Sequence, residues 1–405
     1  MSQPNKKKII NDPVYGFITI NHTIIFDLIE HPYFQRLRRI KQLGLTHLVY
    51  PGALHTRFHH CLGAMHIMQK AIEVLRSKGH SITNQEAEGV SIAILLHDIG
   101  HGPFSHSLEH GIVDGVSHEE ISTLFMDELN KELKGKLDLA LAIFRNNYKK
   151  KFLHQLVSSQ LDMDRIDYLK RDSFYTGVSE GVVNSDRIIT MLTVKNDELA
   201  IEEKGIYSIE KFIVARRLMY WQVYLHKTVI AAESLLVNIL KRAKELATNG
   251  TTLFCTPALK VFLYHQHNLQ SFKNSPEILH QFAQLDDTDI MSAIKVWGNH
   301  TDKTLSTLCR MLINRDLYKV KLQKKQFDIA EIKHLTTAVK SKLQLTDHEA
   351  AYFVFQNNIE NNAYNVEMDN INILLKNGEV LDIKEAADTL NISELAQPVK
   401  KWFLC

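Results

Sequence analysis

The scarcity of helix-breaking residues is the feature that most constrains this chain. Only eight prolines and 17 glycines are spread over 405 residues, and the stretch from Ile206 to Asn249 contains neither. Because proline and glycine disfavour helix interiors, this spacing favours long helices. The stretch is expected to form one long helix, or two helices that meet at a bend. We therefore predict a mainly α-helical protein.

Local patterns predict where several elements begin and end. Pro32 suits a first helical position, and Gly44 can close that helix. Thr83 and Glu86 form a capping-box pattern that starts another helix, which Gly100 can end. Further helices are expected at about 60–79, 119–134, 136–149 and 151–171. Two β-hairpins are expected, one within Ile9–Ile20 and one within Ile371–Ile383, where Asn377-Gly378 provides the turn.

Composition and charge argue against several classes of protein. A hydrophobic content of 45% and a charged content of 23% are those of an ordinary soluble globular protein. The net charge of 48 − 46 = +2 gives nucleic acid little support as a partner. No apolar run is long enough to span a bilayer, so no membrane partner is expected. The four cysteines are scattered without a Cys-x-x-Cys pair, which predicts a reducing, cytoplasmic setting.

A buried metal site is suggested by the sequence around His97-Asp98. Apolar residues at Ala87, Val90 and Ile94 set a helical spacing, and His97 is the next position on that stripe. His97 is therefore expected to point inward, with Asp98 beside it at a helix end. A buried carboxylate next to imidazoles needs positive compensation, which a divalent metal would supply.

Two other segments supply candidate ligands of the same kind, His60 and Asp164. Histidine nitrogen and carboxylate oxygen together suit Mn, Fe, Zn or Mg. On a helix, Asp164 continues an apolar face with Leu161 and Tyr168. A second interpretation stays open, in which Asp164 is a buried carboxylate paired with Arg57 or Arg165.

The compound pattern is similar to a known family over about Lys8 to Val320. The similarity rests on Asn11-Asp12-Pro13, Phe34–Gly44, Pro51-Gly52-Ala53, Thr56–His60, His97–His106, Asp164–Tyr168, Tyr224–Lys227 and Arg315–Lys319. With these motifs the chain resembles the HD-domain phosphohydrolases, and within them the deoxynucleoside triphosphate triphosphohydrolases. The resemblance implies a helical HD-domain core over residues 1–320, with metal-binding helices at about 45–175. A smaller mixed α/β region would follow at 321–405.

The resemblance implies one divalent metal ion, of unknown identity among Mn, Fe, Mg and Zn. Its ligands would be His60, His97, Asp98 and Asp164. The acid/base group would be His106, oriented by Glu109, while His101 and His118 would line the phosphate pocket. The last two could instead be core histidines that bond to backbone carbonyls.

The resemblance also assigns the groups that would bind the phosphates. Arg57 would bind the α-phosphate. Arg165, in place of a family lysine, would meet the β- and γ-phosphates with help from Arg216. Planar guanidinium groups suit phosphate oxygens, and several are needed for the charge of a triphosphate.

The remaining substrate positions would recognise the sugar and the base. Tyr168 would stack on the sugar, and Asp172 and Gln42 would read the 3′-hydroxyl with Leu43 beside them. Tyr224 would close the base pocket. Both tyrosines could instead be ordinary core aromatics.

The implied reaction is metal-dependent hydrolysis of dNTPs to deoxynucleoside and tripolyphosphate. Two alternatives remain open at this stage. One is another HD-domain nucleotidase or a cyclic nucleotide phosphodiesterase, with the same metal and different phosphate contacts. The other is a non-catalytic nucleotide sensor or single-stranded nucleic-acid binder.

Nucleotide activation is implied as well, because some members of the family bind activating nucleotides between subunits. Glu30 stands where a vertebrate member has an aspartate that reads guanine. A homo-oligomer, dimer or tetramer, is therefore expected, although the same residues could form ordinary salt bridges at a subunit interface. The positions concerned are Lys8, Asn11, Glu30, Gln35, Arg38, Arg187, Arg315 and Lys319.

Overall fold

The first half of the fold is a set of helices that surrounds one long central helix, α3. The computed structural model describes residues 8–104, 115–361, 364, 370–395 and 397–405. Within them α3 packs against α4 and α8. The helices of this half are α1 (Thr23–Glu30), α2 (Pro32–Gln35), α3 (Arg57–Ser77), α4 (Asn84–Leu96), α5 (His118–Glu132), α6 (Asp138–Phe144), α7 (Lys151–Val157), α8 (Met163–Thr176) and α9 (Ser185–Thr190).

The glycine-free stretch forms two helices that meet at a bend of 57°. The first ends in a π-helical turn at Tyr220–Tyr224. No single helix in the described part of the chain combines the length and apolarity needed to cross a membrane, although this bent pair does by length and composition. The helices of the second half are α10 (Ile206–Met219), α11 (Lys227–Thr248), α12 (Pro257–Tyr264), α13 (Leu269–Asn274), α14 (Pro276–Gln284), α15 (Asp287–Trp297), α16 (Lys303–Ile313), α17 (Ile329–Leu343), α18 (Asp347–Ala350), α19 (Ile383–Ala386) and α20 (Ile392–Leu395).

Within the described residues three small sheets accompany the helices, so the mainly α class with a mixed α/β region is confirmed. Their strand orders are β1-β2, β3-β4-β7-β8 and β5-β9-β6. Both predicted hairpins are present as the antiparallel pairs β1–β2 and β7–β8. Strand β7 also pairs in parallel with β4, across the proposed boundary at residue 320. The strands are β1 (Lys8–Asp12), β2 (Gly16–Ile20), β3 (Leu192–Lys195), β4 (Glu198–Glu202), β5 (Lys321–Gln323), β6 (Gln356–Asn361), β7 (Asn372–Leu374), β8 (Val380–Asp382) and β9 (Val399–Leu404).

The helix predicted from Pro32 to Gly44 is wrong beyond its first turn. Helix α2 gives way to a 3-10 turn, and at Ile40 the backbone becomes extended, with φ −117° and ψ 112°. Lys41 then forms a β-bridge with Thr56. Its backbone N–H donates to Asp287 Oδ2 at 3.1 Å. Tertiary partners on other segments therefore outcompete local helix propensity.

The helix predicted over 151–171 is also wrong, because it is two helices, α7 and α8. Asp162 separates them: its Oδ1 accepts the backbone N–H of Arg165 at 2.7 Å and caps α8. An aspartate in this position satisfies one of the free amides at a helix start. The cap sets where α8 begins, and so places Asp164 in its first turn.

Candidate metal centre

Three of the predicted ligands converge at the ends of three helices. His60 lies in the second turn of α3, His97 follows α4, and Asp164 lies in the first turn of α8. Their donor atoms all lie within 4.8 Å of one another. The His60 Nε2 atom lies 3.0 Å from Asp164 Oδ1 and 3.3 Å from His97 Nε2. Asp98 joins them, with Oδ1 3.3 Å from His97 Nε2.

The tautomers of the two histidines fit a cation between them. His60 Nδ1 lies 2.8 Å from Asp167 Oδ2, and His97 Nδ1 lies 2.6 Å from the carbonyl oxygen of Ile94. Each acceptor holds the Nδ1 proton, so both Nε2 atoms face the same point and can bind a cation there once they carry no proton. Two Nε2 atoms 3.3 Å apart beside two carboxylates require a positive charge between them, which a proton or a metal ion can supply. The donor set therefore fits a divalent metal ion.

The titration behaviour of these groups agrees with a site that attracts positive charge. Burial lowers the pKa of His60, but Asp164 and Asp167 more than offset that effect and raise it to about 10. Burial raises the pKa of Asp98, yet His97, His101 and Arg57 together hold it well below its usual range. The carboxylates are therefore ionised and available as ligands at neutral pH.

The loop after His97 is fixed by contacts from distant segments. Arg36 donates from Nη2 to the carbonyl oxygens of Ile99 at 3.0 Å and His101 at 2.8 Å. Gly100 does not end α4, which stops at Leu96. Its role is close packing, because a Cβ there would lie 2.2 Å from the backbone of α5 at His118 and Ser122. The ligands at 97 and 98 therefore sit on a rigid turn.

Each of the three arginines predicted to bind phosphate donates a hydrogen bond to a neighbouring side chain. Arg57 donates from Nη1 to Asp98 Oδ2, and the Arg165 guanidinium bonds to Asp162. Arg216 Nη1 donates to Gln160 Oε1 at 3.2 Å. The structure thus pairs Arg57 with Asp98 and Arg165 with Asp162, while Asp164 faces the two histidines.

The predicted histidines of the phosphate pocket lie face to face. The rings of His101 and His118 stack with centroids 3.8 Å apart. His101 Nε2 lies 3.3 Å from Asp98 Oδ1. Burial and the nearby Arg57 charge lower the pKa of His101 to about 3. His106 and Glu109, the predicted acid/base pair, lie outside the described residues.

Two of the predicted sugar and base positions, Asp172 and Tyr224, are in direct contact. Tyr224 donates its hydroxyl to Asp172 Oδ2 at 2.6 Å, and His55 Nε2 lies 2.8 Å from Asp172 Oδ1. The Tyr168 and Tyr224 rings meet edge to face, 6.2 Å apart. The backbone N–H of Gln42 donates to the carbonyl oxygen of His55 at 3.0 Å, which ties this segment to the pocket. Leu43, the next residue, packs partly buried against the core.

The predicted regulatory positions are spread over several elements. Arg38 donates to Gln35 Oε1 at 2.8 Å and lies over the Phe58 ring, while Lys8 lies over the ring of Phe26. Two more bond elsewhere: Arg187 donates to the carbonyl oxygen of Lys204, and Arg315 to that of Leu48. All of these positions except Gln35, which is half-buried, are exposed. Of these positions, the structure brings Gln35 and Arg38 into direct contact with each other.

Sequence reasoning missed three residues that support the site. Asp167 orients His60. It lies three residues after Asp164 on the same helix, and this spacing could have indicated that both face the site. His55 bonds Asp172 and stacks on Tyr175, and only its place beside the Thr56–His60 motif pointed to it. Asp287 accepts the backbone N–H of Phe104 at 3.2 Å. The two residues are 183 positions apart, and no local sequence pattern predicts their contact.

Comparison with known proteins decides the family. A family model described as the HD domain matches residues 57–172, which span the ligands at 60, 97, 98 and 164. A second, described as an HD associated region, matches residues 183–254. A protein from Bacillus subtilis is 37% identical over 330 residues, which cover 79% of this chain and 74% of that protein. The chain belongs to the HD-domain family of metal-dependent phosphohydrolases.

Two further relatives of this HD-domain protein are informative. The crystal structure of a phosphohydrolase from Bacteroides thetaiotaomicron has a TM-score of 0.96 and 57% sequence identity, with 99% of each chain covered. A Dictyostelium discoideum protein named as a SAMHD1 homolog, a deoxynucleoside triphosphate triphosphohydrolase, is 30% identical over 263 residues. That alignment covers 60% of this chain, which spans only about half (51%) of the Dictyostelium protein.

Proposed function

We propose that this HD-domain protein hydrolyses dNTPs to deoxynucleoside and tripolyphosphate. The observation that carries the proposal is the layout of α8. Its first turn brings Asp164 to His60 and His97, and two turns later Asp172 meets Tyr224 and His55. At 1.5 Å per residue the two carboxylates lie about 12 Å apart along the axis. A nucleotide with its phosphates at one end and its sugar at the other fits that spacing.

The chain would hold one divalent ion with His60, His97, Asp98 and Asp164. A bound divalent ion polarises a phosphoryl oxygen and lowers the pKa of a bound water. Its identity among Mn, Fe, Mg and Zn is open to experiment.

The residues around the centre account for binding and positioning. Arg57, which bonds to Asp98, would bind the α-phosphate, and Arg165 and Arg216 would neutralise the outer phosphates. Phosphoryl transfer needs chiefly positioning and charge stabilisation, so no side-chain nucleophile is required. Asp172 would accept a hydrogen bond from the 3′-hydroxyl, and Tyr168 would pack on the deoxyribose.

The overall reaction adds water across one bond. The water oxygen bonds to the α-phosphorus, and the α-phosphorus–O5′ bond breaks with its electron pair on O5′. O5′ takes up a proton and leaves as the deoxynucleoside hydroxyl, while the new hydroxyl stays on tripolyphosphate. We assign the proton donation to His106, oriented by Glu109, on the family resemblance. His101 and His118 would line the path of the phosphates.

Product analysis tests this proposal. Purified protein is incubated with each dNTP and each ribonucleotide in the presence of Mn²⁺ or Mg²⁺, alone and with other nucleotides added as activators. Chromatography should show deoxynucleoside and tripolyphosphate in equal amounts. The H97A/D98A double variant should lose this activity. The matched control His80→Ala changes a histidine that bonds Thr193 away from the centre, and should keep it.

The alternatives give different products. Another HD-domain nucleotidase would release orthophosphate or a nucleoside monophosphate, and a phosphodiesterase would open cyclic nucleotides. A sensor would bind nucleotides, but neither the wild-type protein nor any variant would hydrolyse them. The regulatory site would be supported if an added nucleotide activates the wild-type enzyme and no longer activates an R38A variant. We propose this site together with an oligomer.

A further inference from the structure

A buried series of charged groups runs from the N-terminal hairpin to the metal centre. Asp167 Oδ2, which accepts from His60 Nδ1, also accepts from Arg171 Nε at 2.9 Å. Arg171 Nη2 reaches the other oxygen of Asp167 at 3.0 Å. The far side of the same guanidinium binds Asp12, with Nη1 2.7 Å from Oδ2. We call Asp12, Arg171 and Asp167 the relay.

The relay is shielded from water along its whole length. The side chains of Arg171 and Asp167 have no exposed surface, and that of Asp12 is 3% exposed. Such buried charges persist only when each is paired and hydrogen-bonded. Arg171, held between two carboxylates, meets this condition with two edges of its planar guanidinium group.

Helix α3 is shaped to accommodate the relay. Gly63 lies three residues after His60, on the same face of α3. A Cβ at this position would lie 2.1 Å from Arg171 Nη2 and 2.1 Å from Asp167 Oδ1. Only glycine leaves room for the ion pair directly behind the metal-facing histidine.

The hairpin turn fixes the outer end of the relay. Asp12 is the last residue of β1, and its Oδ1 accepts the backbone N–H groups of Val14 at 2.9 Å and Tyr15 at 3.0 Å. The carboxylate therefore has a fixed position before it meets Arg171. Without it, Arg171 Nη1 would lose its bond to Asp12, and Asp167 would be the remaining carboxylate of the relay that holds the guanidinium.

We propose that Asp12 is a positioning residue for the metal centre. It holds Arg171 so that Arg171 binds Asp167 side-on, which leaves Asp167 Oδ2 aligned with His60 Nδ1 and His60 Nε2 turned to the metal. The inference rests on the metal site of the proposed function. Mutation of a residue that hydrogen-bonds to a metal ligand typically lowers metal affinity by about 10- to 100-fold. Mutation of a residue one hydrogen bond further from the metal should lower the affinity less.

The test is metal binding by an Asp12→Asn variant. Asparagine keeps an oxygen for the turn amides but removes the charge that faces Arg171. Titration calorimetry with Mn²⁺ should show affinity reduced by about threefold to tenfold. The visible spectrum of the Co²⁺-loaded protein should also change, because the His60 ligand is reoriented. Arg171→Lys, which keeps the charge but loses the fork, should weaken Mn²⁺ binding at least as much.

A matched control separates positioning from stability. Arg242 on α11 binds two carboxylates, Asp302 at 2.6 Å and Glu245 at 2.9 Å, outside the relay. Arg242→Gln should lower the melting temperature and leave Mn²⁺ affinity and the Co²⁺ spectrum unchanged. Wild-type affinity and spectrum in both relay variants would overturn the inference and leave the proposed function standing. A wild-type protein that binds no divalent ion would overturn the proposed function itself.

Discussion

Each histidine of the metal centre uses its two ring nitrogens for different purposes. In His60 and His97 the Nδ1 atom bonds a fixed acceptor, and the Nε2 atom faces the shared point. This division fixes each ring orientation, so both Nε2 atoms already face the shared point before a metal ion replaces the proton there. At the scale of residues, the acceptors matter as much as the ligands.

Arg57 provides the most direct test of phosphate binding at this scale. Arg57→Ala should lower kcat/KM for dNTPs by about 10²- to 10³-fold, the usual cost of removing a donor that stabilises charge in the transition state. Arg57→Lys should recover only part of this, because an ammonium lacks the planar fork. Steady-state kinetics check both.

The control for Arg57 lies on the same helix. Arg76 donates to the carbonyl oxygen of Ile82 at 2.8 Å, near the other end of α3. Arg76→Ala should reduce stability and leave kcat/KM near the wild-type value. Equal losses in the Arg57 and Arg76 variants would mean that Arg57 is only structural.

Helices bring the site together at the next scale, because α3, α4 and α8 each supply a ligand near one terminus. Sequence patterns predicted these helices and the capping box at Thr83, since caps and periodicity are local properties. They failed at Pro32–Gly44 and at 158–162. In the first segment Asp287 binds the backbone of Lys41, and in the second Asp162 caps a new helix at Arg165. Both contacts interrupt a helix that the sequence pattern predicts to be continuous.

The cap of α4 makes a prediction about pH. Burial raises the pKa of Glu86, but bonds from Lys150, Thr83 and Tyr148 outweigh it and lower the pKa to about 2. The unfolded-state pKa of glutamate is about 4.3. The stabilisation is therefore complete above about pH 4.3 and is lost as the pH falls toward 2.

Glu86→Gln keeps an oxygen for the cap and removes the charge. At pH 7 it should lower the free energy of unfolding by about 1–3 kcal/mol. In urea titrations the difference from wild type should shrink progressively below pH 4.3. A difference that stays constant from pH 7 to pH 3 would contradict this account of the cap.

Gly63→Ala tests the packing of α3. In an exposed helix the change would stabilise the protein by about 1 kcal/mol. At this position the new methyl group meets Arg171 and Asp167, so we expect a loss of about 2–4 kcal/mol instead. Urea unfolding decides between the two signs, and a stabilised variant would show that the relay can move aside.

At the scale of the whole molecule, the features that could not be predicted from the sequence are contacts between residues far apart along the chain. The family motifs predicted ligand residues that lie close together in the structure, but no motif pointed to Asp287, which approaches Phe104 from 183 residues away. Likewise, β7 pairs with β4 across the predicted boundary at 320. Such contacts depend on how distant elements pack, and no local pattern encodes them. The domain division and the oligomer therefore stay predictions.

The measurement that tests the central claim most directly is hydrolysis of a dNTP in ¹⁸O-labelled water, followed by phosphorus NMR and mass spectrometry. The account predicts one ¹⁸O atom in tripolyphosphate, on a terminal phosphorus, and none in the deoxynucleoside. This is the result of water attack at the α-phosphorus with loss of O5′. Label in orthophosphate, diphosphate or a nucleoside monophosphate would contradict it, because each requires cleavage of a different bond.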